Sequence, residues 1–561
     1  MARSERRGKA GDRGPVVPVL MVALATVLVL SAATFVLDAV ADEPPLEAAT
    51  APRYADMTDA AGIDTVYDGD FRFFVGGGVA VLDCDANGRP DLYIAGGENP
   101  AGLYRNQPSA SGEPGFLRLE DPATDLEQVT GAYPLDVDGD AVTDLMVLRH
   151  GENVLLRGLG DCRFERANGD LGLDGGDAWT VGFSATWEPG AELPTLAFGN
   201  YLDAADLDQD RGSCSDNTLL RPATGEATYA DPLVLSPGRC ALSLLFSDWD
   251  GSGRADLRVS NDRQYDPDAT EQLWRIEDGQ PPRLYTQQEG WEPLSLFGMG
   301  IASHDLTGDG YPEVFLTSQG DNKLQTLRDG ADRPTYEDIA IRRGVTAHRP
   351  FTGEESLPST AWHPEFADVN NDGLVDLFIS KGNVEAQPDH ATRDPNNLLL
   401  GQVDGTFDEG ADEAGIVHHG RTRGAALVDL DLDGALDLVE VNRREPVRVW
   451  RNLGSQREQD APARGWLQLK LVQDRPNRDA IGSWIEVRAG DRVIRREVTV
   501  GGGHASGQRG WIHFGLGTTD EVELRVTWSD GEVDGWMPVE RDTFALIERG
   551  VPRPRYWSPD P

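Results

Sequence analysis

One segment recurs along the chain and restricts its fold more than any other feature: a short apolar strand, a nine-residue acidic loop, then a second apolar strand. It reads Gly78-VAVL-DCDANGRPD-LYIAGG, Tyr133-PL-DVDGDAVTD-LMVLR and Leu244-LFS-DWDGSGRAD-LRVSN. It returns as Gly300-IASH-DLTGDGYPE-VFLTS, Glu365-FA-DVNNDGLVD-LFISKGN and Ala425-ALV-DLDLDGALD-LVEVNR. The loops begin at Asp83, Asp136, Asp248, Asp305, Asp368 and Asp429. Their spacing is roughly sixty residues, with one double interval after Asp136, a period typical of repeat architectures. Inside that interval Ser184-ATWEPGAELPTLAFGN keeps the strand–turn–strand pattern without the carboxylates. A phrase of the type Phe407-DEGADEAGI recurs in phase, and Tyr54-ADMTDAAGI near the start is a variant of it. Each period therefore holds about four strands, one blade of a β-propeller. A lone blade cannot bury both faces, so the chain is expected to be all-β, with seven units over residues 54–455 closed into a ring. The phrase at Tyr54 is expected to complete the last unit and close that ring.

Positions 1, 3, 5 and 9 of each loop carry the chemistry. A tight turn points oxygen side chains at 1, 3 and 5 inward, and position 9 returns a carboxylate from the next strand. Hard oxygen donors in a flexible loop suit Ca²⁺. The loop is not an EF-hand, whose bidentate Glu stands at position 12 between helices. The expected ligand sets are Asp83, Asp85, Asn87, Asp91; Asp136, Asp138, Asp140, Asp144; and Asp248, Asp250, Ser252, Asp256. The others are Asp305, Thr307, Asp309, Glu313; Asp368, Asn370, Asp372, Asp376; and Asp429, Asp431, Asp433, Asp437. This gives about six structural Ca²⁺ sites, one for each acidic loop. Gly139 and Ala141 make the turn of the second loop differ from the rest, and the run from Asp206 to Asp210 stands outside the repeat phase.

With 51 Lys+Arg against 95 Asp+Glu, the formal net charge is −44, which excludes a phosphate-backbone binder and electrostatic docking on anionic lipid. Arg3, Arg6, Arg7, Lys9 and Arg13 precede 22 uncharged residues from Val16 to Leu37, the pattern of an export signal. Two outcomes fit: cleavage after Ala39-Val40-Ala41, or retention of residues 16–37 as a membrane anchor. Residues 1–41 are this segment and 42–53 a linker. The expected location is secreted, periplasmic or anchored on the outer face of the cytoplasmic membrane. Four cysteines suit that compartment. Cys214 and Cys240 would close one loop, leaving Cys84 and Cys162 as the second pair, although three connectivities exist.

Residues 464–547 read as a small β-domain: Trp466-LQLKLV, Ile481-GSWIEV, Val493-IRREVTV, Trp511-IHFGLG and Val522-ELRVTW alternate at period two. Its charge is nearly balanced, with 14 acids and 12 bases from Arg464 to Arg549, and residues 548–561 read as a tail. The acidic loops resemble the FG-GAP/VCBS repeats of integrin-α-type propellers, with Phe297-GMG as a remnant of the motif. Asn477-RDAIGSWIEVRAGDRVIRREVTVGGGHASGQRGWIHFGLG resembles the ASPIC/UnbV domain. The combination is similar to the cartilage acidic protein family, including exported bacterial members. His504 departs from the pattern by following the Gly triplet where an aromatic residue is expected. The resemblance implies an extracellular Ca²⁺-binding, adhesion-type protein and brings no catalytic residue set.

One neighbourhood could carry chemistry. Lys381, Asn383, Glu385 and Asp389, with His363 and His390, fall in or beside the sixth unit's loops, at one end of the ring. Two functions follow: a non-catalytic binding or adhesion scaffold for extracellular protein or glycan, or an enzyme acting on extracellular polysaccharide through those funnel loops. No nucleic-acid partner is expected, and the membrane is involved only through the N-terminal segment.

Overall fold

The computed structural model describes residues 49–559, apart from 110–111, 204–212, 456–462 and positions 329, 331 and 386. The leader or anchor, most of the linker, the acidic run after Asp206 and the last two residues lie outside the described residues. From Ala49 onward the chain is one compact unit.

The repeats become sheets in sequence order. Val129–Leu135, fully buried along its length, pairs with Asp144–Arg149, which pairs with Val154–Gly158 and then Phe164–Arg166. The same four-strand order starts from Val79–Leu82, Thr180–Thr186, Ala241–Ser247, Gly298–His304 and Ala361–Ala367. The sheet that begins with Thr422–Val428 takes its outermost strand from the other end of the chain: Pro52–Asp56 pairs with Arg448–Ser455. The opening phrase thus closes the ring, as the sequence repeat requires. Each innermost strand packs on the next, and Thr422–Val428 packs on Val79–Leu82. The outermost strand runs into a single helical turn ended by a left-handed glycine, as at Phe407–Glu409, Ala411–Ala414 and Gly415.

Every acidic loop joins the end of an innermost strand to the start of its neighbour, with Leu82 opposite Asp91, Leu135 opposite Asp144 and Val428 opposite Asp437. All six loops therefore lie at one end of the ring. The carboxylate-free unit obeys the same register, Thr186 opposite Thr195.

The C-terminal domain is two further sheets. One orders Ile512–Gly517, Gly465–Val472, Thr543–Glu548 and Arg555–Trp557; the other Arg492–Glu497, Trp484–Ala489, Val522–Thr527 and Met537–Pro538. Leu467, Leu469, Ile485, Val487, Phe514 and Val526 fill the space between them. Two sequence expectations change. The supposed tail supplies an edge strand, Arg555–Trp557, paired with Thr543–Glu548. The strand expected to continue through Val500 stops at Glu497, because the following residues leave the domain and enter the ring.

Candidate metal centres and the two mouths of the channel

Within the acidic loops, side chains and backbone interlock in a repeated pattern. The position-9 carboxylate accepts from the N–H of position 2 with one oxygen, at 2.9 Å from Cys84 to Asp91 and 2.8 Å from Val137 to Asp144. Its other oxygen accepts from the next strand, Asn106 N at 2.8 Å and Gly158 N at 2.9 Å. Position 1 accepts from the N–H of position 6, as in Asp429 to Gly434 at 2.8 Å. Positions 4 and 6 are left-handed in all six loops. Position 6 is glycine except at Ala141 (φ 72°), which adopts the same turn, while position 4 holds Ala86, Asn371 and Leu432 in three loops. The departure expected of the second loop is thus absent from its backbone.

Three loops bring their acids together. In Asp83/Asp85/Asp91, Asp136/Asp138/Asp144 and Asp429/Asp431/Asp437, carboxylate oxygens lie within 4.8 Å of one another. Burial, aided by neighbouring carboxylates, pushes Asp91 and Asp144 up to about 7, Asp136 to about 6 and Asp429 to about 8. Each cluster has one cation on an outer oxygen: Lys470 on Asp83 (3.5 Å), Arg157 on Asp138 (3.1 Å) and Arg451 on Asp431 (2.7 Å). Asp83 Oδ1 and Asp431 Oδ1 nevertheless stay buried without a hydrogen-bond partner. An all-oxygen donor set with orphaned buried oxygens fits a hard divalent cation. The loop at Asp248 differs, because Arg254 lies 3.2 Å from Asp256 and 3.8 Å from Asp250, while Tyr285 donates to Asp256 at 2.7 Å. The grouping of Cys84, Asp91 and Cys162 offers no thiolate, since Cys84–Cys162 is a disulfide, as is Cys214–Cys240.

The C-terminal domain sits on this acidic end. Arg464 reaches Asp372 (3.7 Å) and the carbonyl of Asn370 (3.1 Å), and Gln468 donates to Asp429 at 2.5 Å. Arg475 and Arg495 donate to the carbonyls of Asp138 and Gly310, and Trp511 to that of Gly88 at 3.0 Å. His513 Nε2 meets Asn371 Oδ1 at 2.8 Å. A domain with nearly balanced charge thus turns its cations to the acidic loops.

From that domain residues 498–508 run into the channel. The channel would otherwise leave the innermost strand edges unpaired, at the cost of unmade backbone hydrogen bonds. Val500 O accepts from Ala185 N (3.1 Å), Gly502 N donates to Leu244 O (2.7 Å), and Ala505 O accepts from Ala132 N (3.2 Å). Gly507 and Gln508 then pair in parallel with Ala80 and Val81. Gly501, Gly502 and Gly503 are all left-handed, and a Cβ on Gly503 would stand 2.5 Å from the His363 ring. His504 is fully buried at the tip. Its Nε2 accepts from Gly76 N (3.1 Å), its N–H donates to His363 Nδ1 (3.0 Å), and its ring packs on Trp362. Burial holds His504 at about 3, well below the ordinary histidine range. His504 and His363 therefore act as packing and hydrogen-bonding residues of a plug.

At the opposite mouth the side chains singled out in the sequence separate. Lys381 is fully buried, bonded to Ser359 Oγ (2.8 Å) and 3.4 Å from Asp394. Asn383 ties its own loop through the carbonyls of Gln387, His390 and Ala391. Asp389 is exposed and His390 half-buried. Glu385 alone meets a cluster, with Arg443 at 2.7 Å and Arg421 and Arg444 each at 3.1 Å. Beneath them Arg423, fully buried, stacks on Trp362 (4.0 Å) and donates to the carbonyls of Phe74 and Val384. Sequence reading missed these arginines; the place of Arg421, Arg443 and Arg444 directly before or after recurrent strands, and of Arg423 within one, was the available signal.

Residues 473–553 match the ASPIC and UnbV family. Residues 305–379 match the FG-GAP-like repeat. The ASPIC and UnbV match thus spans most of the domain that caps the acidic loops, together with the glycine plug. Human cartilage acidic protein 1 is 23% identical over 269 residues, 47% of this chain and 38% of that protein. The mouse protein is 24% identical over 256 residues, 45% and 36% respectively. The chain therefore spans well under half the length of the curated relatives it matches. Among solved structures, an Agrocybe aegerita lectin, described as recognising non-reducing terminal N-acetylglucosamine, aligns with TM-score 0.38 and 15% identity over 67% of this chain and 91% of its own. AofleA from Arthrobotrys oligospora aligns with TM-score 0.33 and 10% identity over 61% and 86%. The two disulfides fit an extracellular protein. Among the described residues no helix is long and apolar enough to cross a membrane.

Proposed function

We propose that the chain is an exported, Ca²⁺-stabilised β-propeller that acts as a non-catalytic scaffold and binds an extracellular protein or glycan. The observation that carries the calcium assignment is the pair of orphaned buried oxygens, Asp83 Oδ1 and Asp431 Oδ1, inside clustered carboxylates. A bound cation would supply the missing partner and offset the repulsion. The loops at Asp83, Asp136 and Asp429 are the primary sites; in the loop at Asp248 Arg254 and Tyr285 already engage the position-9 acid, Asp256.

Binding is assigned to the mouth opposite the acidic loops. There Arg421, Arg443 and Arg444 surround Glu385, and the exposed Phe71 packs against Phe74 and Trp179. Guanidinium groups beside an aromatic ring suit polar or acidic surfaces on a glycan or protein. Lys381, which would serve acid–base work, and Asn383, which would serve polar recognition, are engaged in holding the fold. The N-terminal segment, outside the described residues, supplies export with or without anchoring.

The test is a glycan-array and pull-down screen with residues 42–561, with and without Ca²⁺, alongside thermal melting with and without chelator. Binding without product release supports the scaffold. Release of cleaved glycan overturns the non-catalytic assignment, and an unchanged melting temperature in chelator overturns the calcium assignment.

A further inference from the structure

Between the acidic end of the ring and the C-terminal domain lies a cavity of about 560 Å³, and a second of about 160 Å³ shares Ser303, Glu365, Arg496, Glu497 and Gln508 in its wall. The larger falls within the range of small-molecule sites, about 300–1,000 Å³. Exposed Asp161, Gln508 and Gly510 mark where it reaches solvent.

The polar groups of the wall divide sharply. Beyond the acidic loops, where Asp83 Oδ1 is left for a metal, its acids are already served: Glu365 accepts from Leu427 N (3.0 Å) and Gln508 Nε2 (2.7 Å), and Glu497 from Ser247 Oγ (2.6 Å) and Asp248 N (2.9 Å). Asp479 holds Arg509 through two bonds of 2.6 and 2.8 Å. Outside those loops the unserved groups include two guanidiniums. Arg478 and Arg496, both half-buried in the wall, make no side-chain hydrogen bond or ion pair among the described residues. In the wall of the smaller cavity His363, 4% exposed, accepts at Nδ1 from His504 N, so its proton sits on Nε2, which has no hydrogen-bonded acceptor although Glu365 lies 3.5 Å away. His304, 7% exposed, leaves its Nε2 buried and unpartnered in the wall of the smaller cavity. Unmade donors in a roomy enclosure call for an acceptor ligand. Leu135, Leu427, Leu471, Ile481 and Val498 supply an apolar wall beside them.

We propose that this interdomain cavity binds a small organic monocarboxylate, its carboxylate on Arg496 and Arg478 and its hydrocarbon body on the leucine–isoleucine wall. The guanidinium fork matches a carboxylate in two parallel bonds. A monoanion is favoured over a phosphate dianion because Glu365 and Glu497 share the enclosure and repel a second charge. The site borders the loops at Asp83 and Asp429, so Ca²⁺ is held constant in its test, and it is separate from the mouth assigned to the extracellular partner.

The test is calorimetric titration of the exported chain in Ca²⁺ with octanoate, 1-naphthoate, their neutral amides and octyl phosphate. The carboxylates should bind at least about tenfold more tightly than the amides. Arg496→Gln and Arg478→Gln should each weaken carboxylate binding by about tenfold or more, while Arg553→Gln, on the exposed C-terminal segment, leaves it unchanged. Equal binding of acid and amide, tighter binding of octyl phosphate, or unchanged affinity in both arginine variants overturns the proposal. So does failure of every carboxylate to bind, which would leave a hydrated gap only. Should Arg496→Gln lose its melting transition, the acid–amide comparison on the unaltered chain and Arg478→Gln decide the matter.

Discussion

Gly503 and Ile301 exchange a reciprocal pair of backbone hydrogen bonds, 2.6 Å from Gly503 N to Ile301 O and 3.3 Å in return. Two segments some two hundred residues apart thus pair like neighbouring strands at the axis of the ring. Gly503 has φ 58° and no room for a Cβ beside His363. Gly503→Ala should cost about 2 kcal/mol or more in urea unfolding, from left-handed strain and the clash together. Gly510→Ala, where a Cβ meets open space and φ is not left-handed, should change stability little.

Calcium uptake should differ between loops. Asp83→Asn and Asp431→Asn are each expected to remove one equivalent of tightly bound Ca²⁺, whereas Asp250→Asn, in the loop that Arg254 already occupies, leaves the stoichiometry unaltered. Calorimetric titration of chelator-stripped protein counts the sites. Loss of an equivalent in Asp250→Asn would count against the distinction.

Acid should stabilise the metal-free protein in a narrow window. Asp91 and Asp144 at about 7 and Asp429 at about 8 stand far above the ordinary 3.8, so the folded state holds protons that the unfolded chain releases. Stability in chelator therefore rises as pH falls from about 8 to about 6.5. Below about 6.5 His304, His504 and His513, held at about 3 by burial, oppose it, because only the unfolded chain protonates them there. With Ca²⁺ bound the upper slope should vanish or reverse, since the ligands must be ionised. Urea midpoints at several pH values, with and without metal, check the sign.

Both disulfides should matter, unequally. Cys84–Cys162 closes a separation of 78 residues and Cys214–Cys240 one of 26. On chain entropy alone their paired replacement by serine costs about 4.5 and 3.5 kcal/mol, a difference of about 1 kcal/mol that denaturant unfolding resolves.

Lys381 is a buried partner of Asp394, each with no exposed side chain. Lys381→Met should destabilise by about 3–5 kcal/mol by leaving that carboxylate unpaired. A variant that melts like the parent but loses glycan or protein binding would instead return Lys381 to the ligand site.

Much of the ring was legible locally. Repeated loops, the position-9 acid at the head of the next strand and the return of the Tyr54 phrase all follow from period and strand alternation, which act over a few residues. The turn itself was half legible: Gly88, Gly373 and Gly434 announce a left-handed position, while Ala86, Asn371 and Leu432 adopt one without a glycine. Lys381 and Glu385 looked equivalent in sequence, because nothing nearby names Asp394 or the three arginines as their partners.

The sequence by itself determined an all-β chain of repeats with oxygen-lined loops, since each repeat carries its own strand pattern and turn chemistry. Only the tertiary structure decided that the C-terminal domain caps those loops and that its glycine triplet fills the channel. Those contacts join groups as distant as Gly76 and His504, 428 residues apart, and depend on which edges and charges a closed ring leaves unpaired.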